Sequence, residues 1–257
     1  MLKTSKIIVY DEPTVPEIQI KKIERFLRDT FNVDVEIRKN FFENASYELF
    51  ENIATTRIFE LKKPFSKHTP TESEIENEKS NTDNSQDEEK ILYDGFEFQR
   101  IVAEHIPSNE NSQNILSIIL TNKLTCTFDE SDFRYHARAL IGTNPAIIST
   151  TGIIEAPAKP KEYYLDLMTN FSKESNEEIK KKYRGEFLEY NDTRLSEIIE
   201  GYFLQAIMYY ETGDVFCEDK ECRLYNAHWQ KELLELQSNK KFCKKHEESF
   251  KEITSHS

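Results

Sequence analysis

Residues 194–222 read RLSEIIEGYFLQAIMYYETGDVFCEDKEC, a helical pattern that ends in a glycine and runs directly into two cysteines. Leu195, Ile198, Ile199, Tyr202, Ala206, Tyr209 and Tyr210 recur at three-and-four spacing, which puts them on one stripe of a helix from about Arg194 to Glu211. Asp192 or Thr193 can cap its start, and Gly213 can stop it in a left-handed conformation. Such a stripe is core material. Past the glycine, Cys217 and Cys222 form a C-x4-C pair; a further helical-looking stretch follows, and then Cys243 and His246 form a C-x2-H pair. Zinc prefers four soft or borderline ligands in a tetrahedron, and two local turns separated by a longer loop can each donate a pair. The spacing therefore predicts one zinc held by Cys217, Cys222, Cys243 and His246. Three cysteines and a histidine leave no position for water, so the predicted ion is structural and stabilises the fold. The competing reading is a Cys217–Cys222 disulfide, or unrelated buried thiols with His246 exposed near a frayed end. Cys126 has no partner nearby in sequence and reads as a small buried apolar residue.

Working back towards the N-terminus, strands and helices alternate. The apolar run Lys6 to Tyr10 is strand-like, and Ile18, Ile20, Ile23, Phe26, Leu27 and Phe31 fall at mostly helical spacing, with Asn32 able to end that helix. Val33 to Ile37 alternates as a half-buried strand does; a second helix over Ala45 to Thr56 and a strand over Arg57 to Leu61 follow. Phe96, Ile101 and Val102 suggest a short helix. Ile115 to Leu120 is the most strand-like run in the chain, with Ala137 to Ile141 and Ala146 to Ser149 as two more strands, and together these should form the centre of the sheet. Ser172 to Glu186 is a charged surface segment with helical character. The expected fold class is α/β, a mixed, mostly parallel sheet packed with helices, in one domain over 1–257 with the core helix and metal subregion at 192–250.

Residues 66–90 interrupt this pattern. Pro70 to Lys90 holds eight carboxylates, two lysines and a single apolar residue, Ile75, and nothing in it can offset the entropy of ordering. A disordered acidic insertion is expected there.

At 257 residues with 30 aromatic side chains, the chain can bury a core. Its 47 acidic against 34 basic residues give a net charge of −13, which repels phosphate backbones and anionic membranes, so neither nucleic acid nor membrane is an expected partner. No stretch approaches the roughly 20 apolar residues of a membrane span, and the start lacks a signal-peptide core; a cytoplasmic protein is expected. Only six glycines are present, and no Gly-rich nucleotide fingerprint is among them.

The helix, the glycine, the C-x4-C pair, the hydrophobic residue two positions after it and the later pair resemble the archaemetzincins, zinc metallopeptidases of the metzincin clan. Their pattern is HExxHxxGxxH, then C-x4-C-x-M, and further on C-x2-C. The family glycine falls on Gly213, its first cysteine pair on Cys217 and Cys222, its methionine on Leu224, and its last pair on Cys243 and His246. The resemblance implies a metzincin-like fold. It also places the three catalytic zinc ligands on Ala206, Tyr210 and Phe216, and the catalytic glutamate on Ile207. Ala, Ile and Phe have no donor atom, and a neutral tyrosine is a poor zinc ligand near neutral pH. In a working site, histidines four apart face the metal and the glutamate polarises its water. Here apolar and aromatic groups fill that face.

A relocated site would need other ligands, and His136 and His228 are the candidates. Neither has a convincing helical partner, although Glu232 follows His228 by four residues. His68, His105 and His256 carry no signal. Asp129-Glu130-Ser131-Asp132 could bind a hard cation or simply form a loop, and Asp11 and Glu12, just past the first strand, read as surface residues. The expected function is that of a zinc-binding, metallopeptidase-family protein with its catalytic zinc lost, acting on a peptide or protein as a binding or regulatory pseudo-peptidase. The alternatives are an active zinc metallohydrolase with rearranged ligands, and an unrelated α/β domain with a zinc knuckle.

Overall fold

The structure, a computed structural model, describes residues 2–80, 90–170, 173–214 and 216–254. The chain opens with β1 (Lys6–Tyr10), α1 (Ile20–Phe31) and β2 (Asp34–Arg38). β-Branched residues Ile7, Ile8 and Val9 suit a strand covered on both faces. Asn32 ends α1 at φ 50°, its N–H donating to the Arg28 carbonyl. Next come α2 (Tyr47–Ala54), which Ser46 caps through the Leu49 N–H, α3 (Glu72–Lys79), β3 (Leu92–Asp94) and α4 (Gly95–Glu104), which Asp94 caps. Five strands follow: β4 (Ile115–Thr121), β5 (Leu124–Asp129), β6 (Arg134–Ala137), β7 (Leu140–Ile141) and β8 (Ala146–Ser149). The remainder is helical, with α5 (Thr150–Glu155), α6 (Lys161–Thr169), α7 (Lys173–Lys182), α8 (Leu195–Thr212), α9 (Gln230–Asn239) and α10 (Lys244–Thr254).

The main sheet has the order β2-β1-β4-β8-β7, parallel except for the edge strand β7, which runs antiparallel to β8. A smaller sheet, β3-β5-β6, pairs β3 parallel and β6 antiparallel to β5. This is the mixed, mostly parallel α/β architecture expected, with β4 at its centre. Alternation splits the strands between two cores. Ile7, Val9, Leu116, Ile118 and Leu120 face α1 and α8, whereas Ile8, Ile119 and Ile147 face α2 and α4. Helix α8 is buried almost throughout, with Phe203, Ala206 and Ile207 fully enclosed. Its back approaches α9 so closely at Gly201 that an added Cβ would lie 2.0 Å from the Gln237 side chain. No helix among the described residues is long and apolar enough to cross a membrane.

Several sequence expectations need correction. Residues 72–79 of the supposed disordered insertion form α3, opened by a capping box between Thr71 and Glu74; residues 81–89 lie outside the described part of the chain. Ile75 enters the core beside α2. Glu78 is buried and is met by Arg57 at 2.6 Å, by the Tyr93 hydroxyl at 2.9 Å and by Lys123. Two cations from distant parts of the chain thus neutralise a carboxylate that composition alone marks as solvated. The strand expected over Arg57 to Leu61 is reduced to one bridge between Arg57 and Tyr93, and Phe59 and Leu61 are exposed because no sheet face covers them. Ala137 to Ile141 is not one strand: β6 ends at Ala137 in the small sheet, and β7 starts at Leu140 in the large one. Asp192 does not cap α8 directly; its carboxylate takes the N–H and guanidinium of Arg194, which occupies the cap position.

Removing one side of the buried Glu78 cluster strands the cations. Glu78→Gln should therefore lower the unfolding free energy by about 3–5 kcal/mol in urea denaturation. A loss below about 1 kcal/mol, as for an exposed pair, would show that α3 does not depend on this contact.

Candidate metal centre

Helix α8 stops at Gly213, whose φ of 81° and N–H bond to the Tyr209 carbonyl turn the chain away. The turn that follows is fixed by backbone bonds: the Cys217 N–H donates to the Leu224 carbonyl at 2.9 Å, and the Cys222 N–H to Asp219 at 3.1 Å. Leu224, at the position of the family methionine, is buried beneath it. The Arg223 N–H then donates to the Lys241 carbonyl at 2.6 Å, bringing the second ligand segment alongside the first. Cys243 precedes α10, and its carbonyl accepts the Glu247 N–H, so His246 sits in the helix's first turn. Phe250 of α10 stacks on Phe242 and meets Phe31 of α1 edge-on, which anchors that helix to the core.

These elements bring all four predicted ligands together. One ligating atom from each of Cys217, Cys222, Cys243 and His246 lies within 4.8 Å of all the others. Sγ of Cys217 and Sγ of Cys243 are 3.7 Å apart, and His246 Nδ1 is 3.6 Å from Cys222 Sγ and 3.2 Å from Cys243 Sγ. Bonds of about 2.3 Å to sulfur and about 2.0–2.1 Å to nitrogen in a tetrahedron require about 3.8 Å between sulfurs and about 3.6 Å from sulfur to nitrogen. The 3.7 Å and 3.6 Å separations match those spacings, and the 3.2 Å one between His246 and Cys243 is shorter. The cluster does not fit a disulfide, whose sulfurs are about 2.05 Å apart, and all four cysteines are free. Cys222 and His246 are buried, Cys217 nearly so, and Cys243 is half-buried.

Without a cation, ionising this cluster is unfavourable. Burial pushes the Cys217 thiol up to about 12, with Cys243 and Cys222 adding to the effect and the Asp219 N–H opposing it. Burial likewise raises Cys222, while burial and the neighbouring Lys245 lower His246. A divalent ion would supply the missing positive charge and displace the protons.

The helix positions matched to the family's catalytic residues offer no comparable donors. Ala206 and Ile207 are fully buried in the core, the Tyr210 hydroxyl donates to the Gln113 carbonyl at 2.9 Å, and Phe216 is partly exposed. His228 is exposed and belongs to no group of three ligating side chains among the described residues. His136 does have company: its Nε2 is 2.9 Å from Asp132, and Asp129 joins the pair to make a three-residue group on the β5–β6 hairpin. The Asp129 carboxylate is already engaged by the N–H and hydroxyl of Ser131. Cys126 is buried, and burial pushes its thiol up to about 12, which suits a packing residue and not a nucleophile.

Glu12 is not a surface residue. It is 1% exposed at the end of β1, where its carboxylate accepts from Thr14, the Asn40 side chain and the Asn122 N–H. Burial raises its pKa against these bonds. Its partners come from three segments, so no local pattern marks it as buried. Beside α8 lies a cavity of about 460 Å³, walled by β7, by the residues that follow it and by the segment around His228. His228 and Phe216 are both in its lining.

Residues 3–253 match the family described as "Probable metallopeptidase family (DUF6775)". The chain belongs to this family. No curated protein matches it. Among solved structures, the chain is similar to a zinc-dependent peptidase from Methanocorpusculum labreanum, at 14% identity over 95% of this chain and 99% of that one, with a TM-score of 0.44. It is also similar to archaemetzincin from Methanopyrus kandleri, at 10% identity over 99% and 97% of the two chains, with a TM-score of 0.48. Membership of a metallopeptidase family agrees with the resemblance carried by the cysteine framework.

If the cluster of this DUF6775 chain holds zinc, saturating metal at about a thousand times Kd should add about 4 kcal/mol of stability. For a chain of this size that is a rise in Tm of roughly 8–16 °C. Thermal unfolding with and without a strong chelator checks it, and an unchanged Tm would count against a metal here.

Proposed function

We propose that this member of the metallopeptidase family holds one structural zinc, has lost the catalytic one, and acts as a binding or regulatory pseudo-peptidase. The observation that carries this reading is a contrast within one short region. The ligating atoms of Cys217, Cys222, Cys243 and His246 lie within 4.8 Å of one another, whereas Ala206 and Ile207 bring only buried hydrocarbon to the helix. A structural zinc would cross-link the turn after α8 to the start of α10, and with four protein donors it would keep no open position for water. Four free thiols suit a reducing compartment such as the cytoplasm. The partner on this reading is a peptide or protein, bound in the cavity beside α8 and released uncut.

A second reading is favoured by one observation, the His136, Asp132 and Asp129 group, whose ligating atoms lie within 4.8 Å of one another. There an exposed second zinc would make the protein an active metallohydrolase with rearranged ligands.

Metal analysis of the purified full chain separates the two. We expect about one zinc per chain, lost in Cys222→Ser and retained in His136→Ala. Incubation with a mixed peptide library in excess zinc should leave every peptide mass unchanged. Chelator-sensitive cleavage that disappears in His136→Ala would overturn the proposal in favour of the second reading.

A further inference from the structure

The cavity beside α8 has an electrostatic character opposite to that of the molecule around it. The chain carries a net charge of −13, yet among the described residues no Asp or Glu lines this space. Phe96, Tyr202, Tyr209 and Phe216 contribute aromatic surface, and Arg138 is the one Arg or Lys in the lining. Arg138 follows β6, and its Nε donates to the Thr127 hydroxyl at 2.7 Å, which fixes the plane of the guanidinium.

That bond uses one of five N–H donors. Among the described residues, no carboxylate lies within ion-pair distance of Arg138, and its terminal nitrogens have no hydrogen-bond partner. The other arginines that are not fully exposed behave differently: Arg38, Arg57, Arg194 and Arg223 each have a carboxylate within 3.5 Å. A second polar group in the same lining is also unsatisfied. Tyr202 is 8% exposed, and its hydroxyl has no hydrogen-bond partner among the described residues. Neither the Tyr202 hydroxyl nor the pair of Arg138 terminal nitrogens is fully shut off from solvent. A ligand that fills the cavity and displaces water from them must therefore supply acceptors, since a hydroxyl or guanidinium covered without a partner costs free energy. One ligand chemistry satisfies both groups while resting on the aromatic walls.

We propose that this cavity binds the carboxylate of an apolar acid, either free or as the C-terminal end of a peptide, with Arg138 pairing to the carboxylate and the Tyr202 hydroxyl donating to it. A carboxylate accepts the planar fork of a guanidinium through two oxygens and has lone pairs left for a phenol. The inference deepens the binding-protein reading above and rests on it, since the carboxylate is held and nothing is cleaved.

The test is calorimetric titration of the full-length, zinc-loaded protein with N-acetylphenylalanine, a tripeptide ending in phenylalanine, and the C-terminal amides of both. At least one free acid should bind saturably, with its amide weaker by about ten-fold or more, as expected for losing a charge-assisted bond. Arg138→Gln should bring the acid down to the affinity of the amide, Arg138→Lys should recover part of the difference, and Tyr202→Phe should weaken the acid alone. If the small acid binds as tightly as the tripeptide, the ligand is a free acid; if only the tripeptide binds, it is a peptide end. Equal binding of acid and amide, the absence of saturation at millimolar concentrations, or wild-type affinity in Arg138→Gln would overturn the proposal. The acid-to-amide ratio on the unaltered protein decides the matter even if a variant fails to fold. Peptide masses recorded in parallel keep the two readings apart, because cleavage would remove the pseudo-peptidase reading while leaving the carboxylate preference intact.

Discussion

A helix of 18 residues that is buried along most of its length must be covered from several sides at once, and the molecule is arranged around that demand of α8. One side packs on the sheet face carrying Ile118, Leu120 and Ile148, in the same core as Leu27 of α1. The opposite side lies against α9, where Gly201 allows the Gln237 amide to reach the helix backbone and bond both the side chain and the carbonyl of Arg223. That contact joins the packing of α8 to the position of the cysteine turn, because Arg223 directly follows Cys222 and its N–H holds Lys241. The helix thus supports the candidate metal centre from behind, and the geometry of the four ligands depends on α8 being fully packed.

Those parts of the fold with local causes were legible in the sequence. Asn32 and Gly213 end their helices in left-handed conformations because few other residues tolerate them, and the run at Ile115 to Leu120, apolar but for Ser117, marks the central strand because a strand covered on both faces needs one. The grouping of Cys217, Cys222, Cys243 and His246 was legible for the same reason, since two close pairs of soft donors have few other uses. What escaped reading depends on partners far away in the chain. Glu78 looks solvated until Arg57, 21 residues back, and Lys123, 45 residues on, are folded against it. β5, Leu124-Thr125-Cys126-Thr127-Phe128-Asp129, is a strand through its place between β3 and β6 as the middle of a second sheet, and those partners lie elsewhere in the chain. Arg138 escaped altogether, because an unpaired cation is defined by the carboxylates that fail to approach it.

The candidate centre and the cavity make different demands on the chain, which bears on how a metallopeptidase fold can lose one function and keep its shape. A catalytic zinc requires polar ligands aimed into a cleft with one position left open, and each buried donor carries a desolvation cost when the metal is absent. Replacing such donors by groups like Ala206 and Ile207 removes that cost and adds apolar burial to α8, so on the proposed reading the helix becomes more self-sufficient. A structural zinc works the other way. On that reading its ligands would tie the turn after Gly213 to α10, and a single substitution among them would leave three inward-pointing donors with nothing to bind.

This asymmetry also accounts for the contents of the space beside α8. On the proposed reading, a cleft relieved of its metal would lack its main positive charge, and in a chain of net charge −13 the surrounding field would then disfavour any anionic ligand. Arg138, steadied by Thr127 and with no carboxylate within ion-pair distance among the described residues, would place a positive charge beside the same helix. Because the wall around it is aromatic, that charge is screened less than it would be on the surface, and its attraction for a carboxylate is correspondingly larger. An arginine offers bidentate geometry without Lewis acidity, so on the proposed reading a site built on it would hold the end of an acid without supplying the metal-bound water of a peptidase.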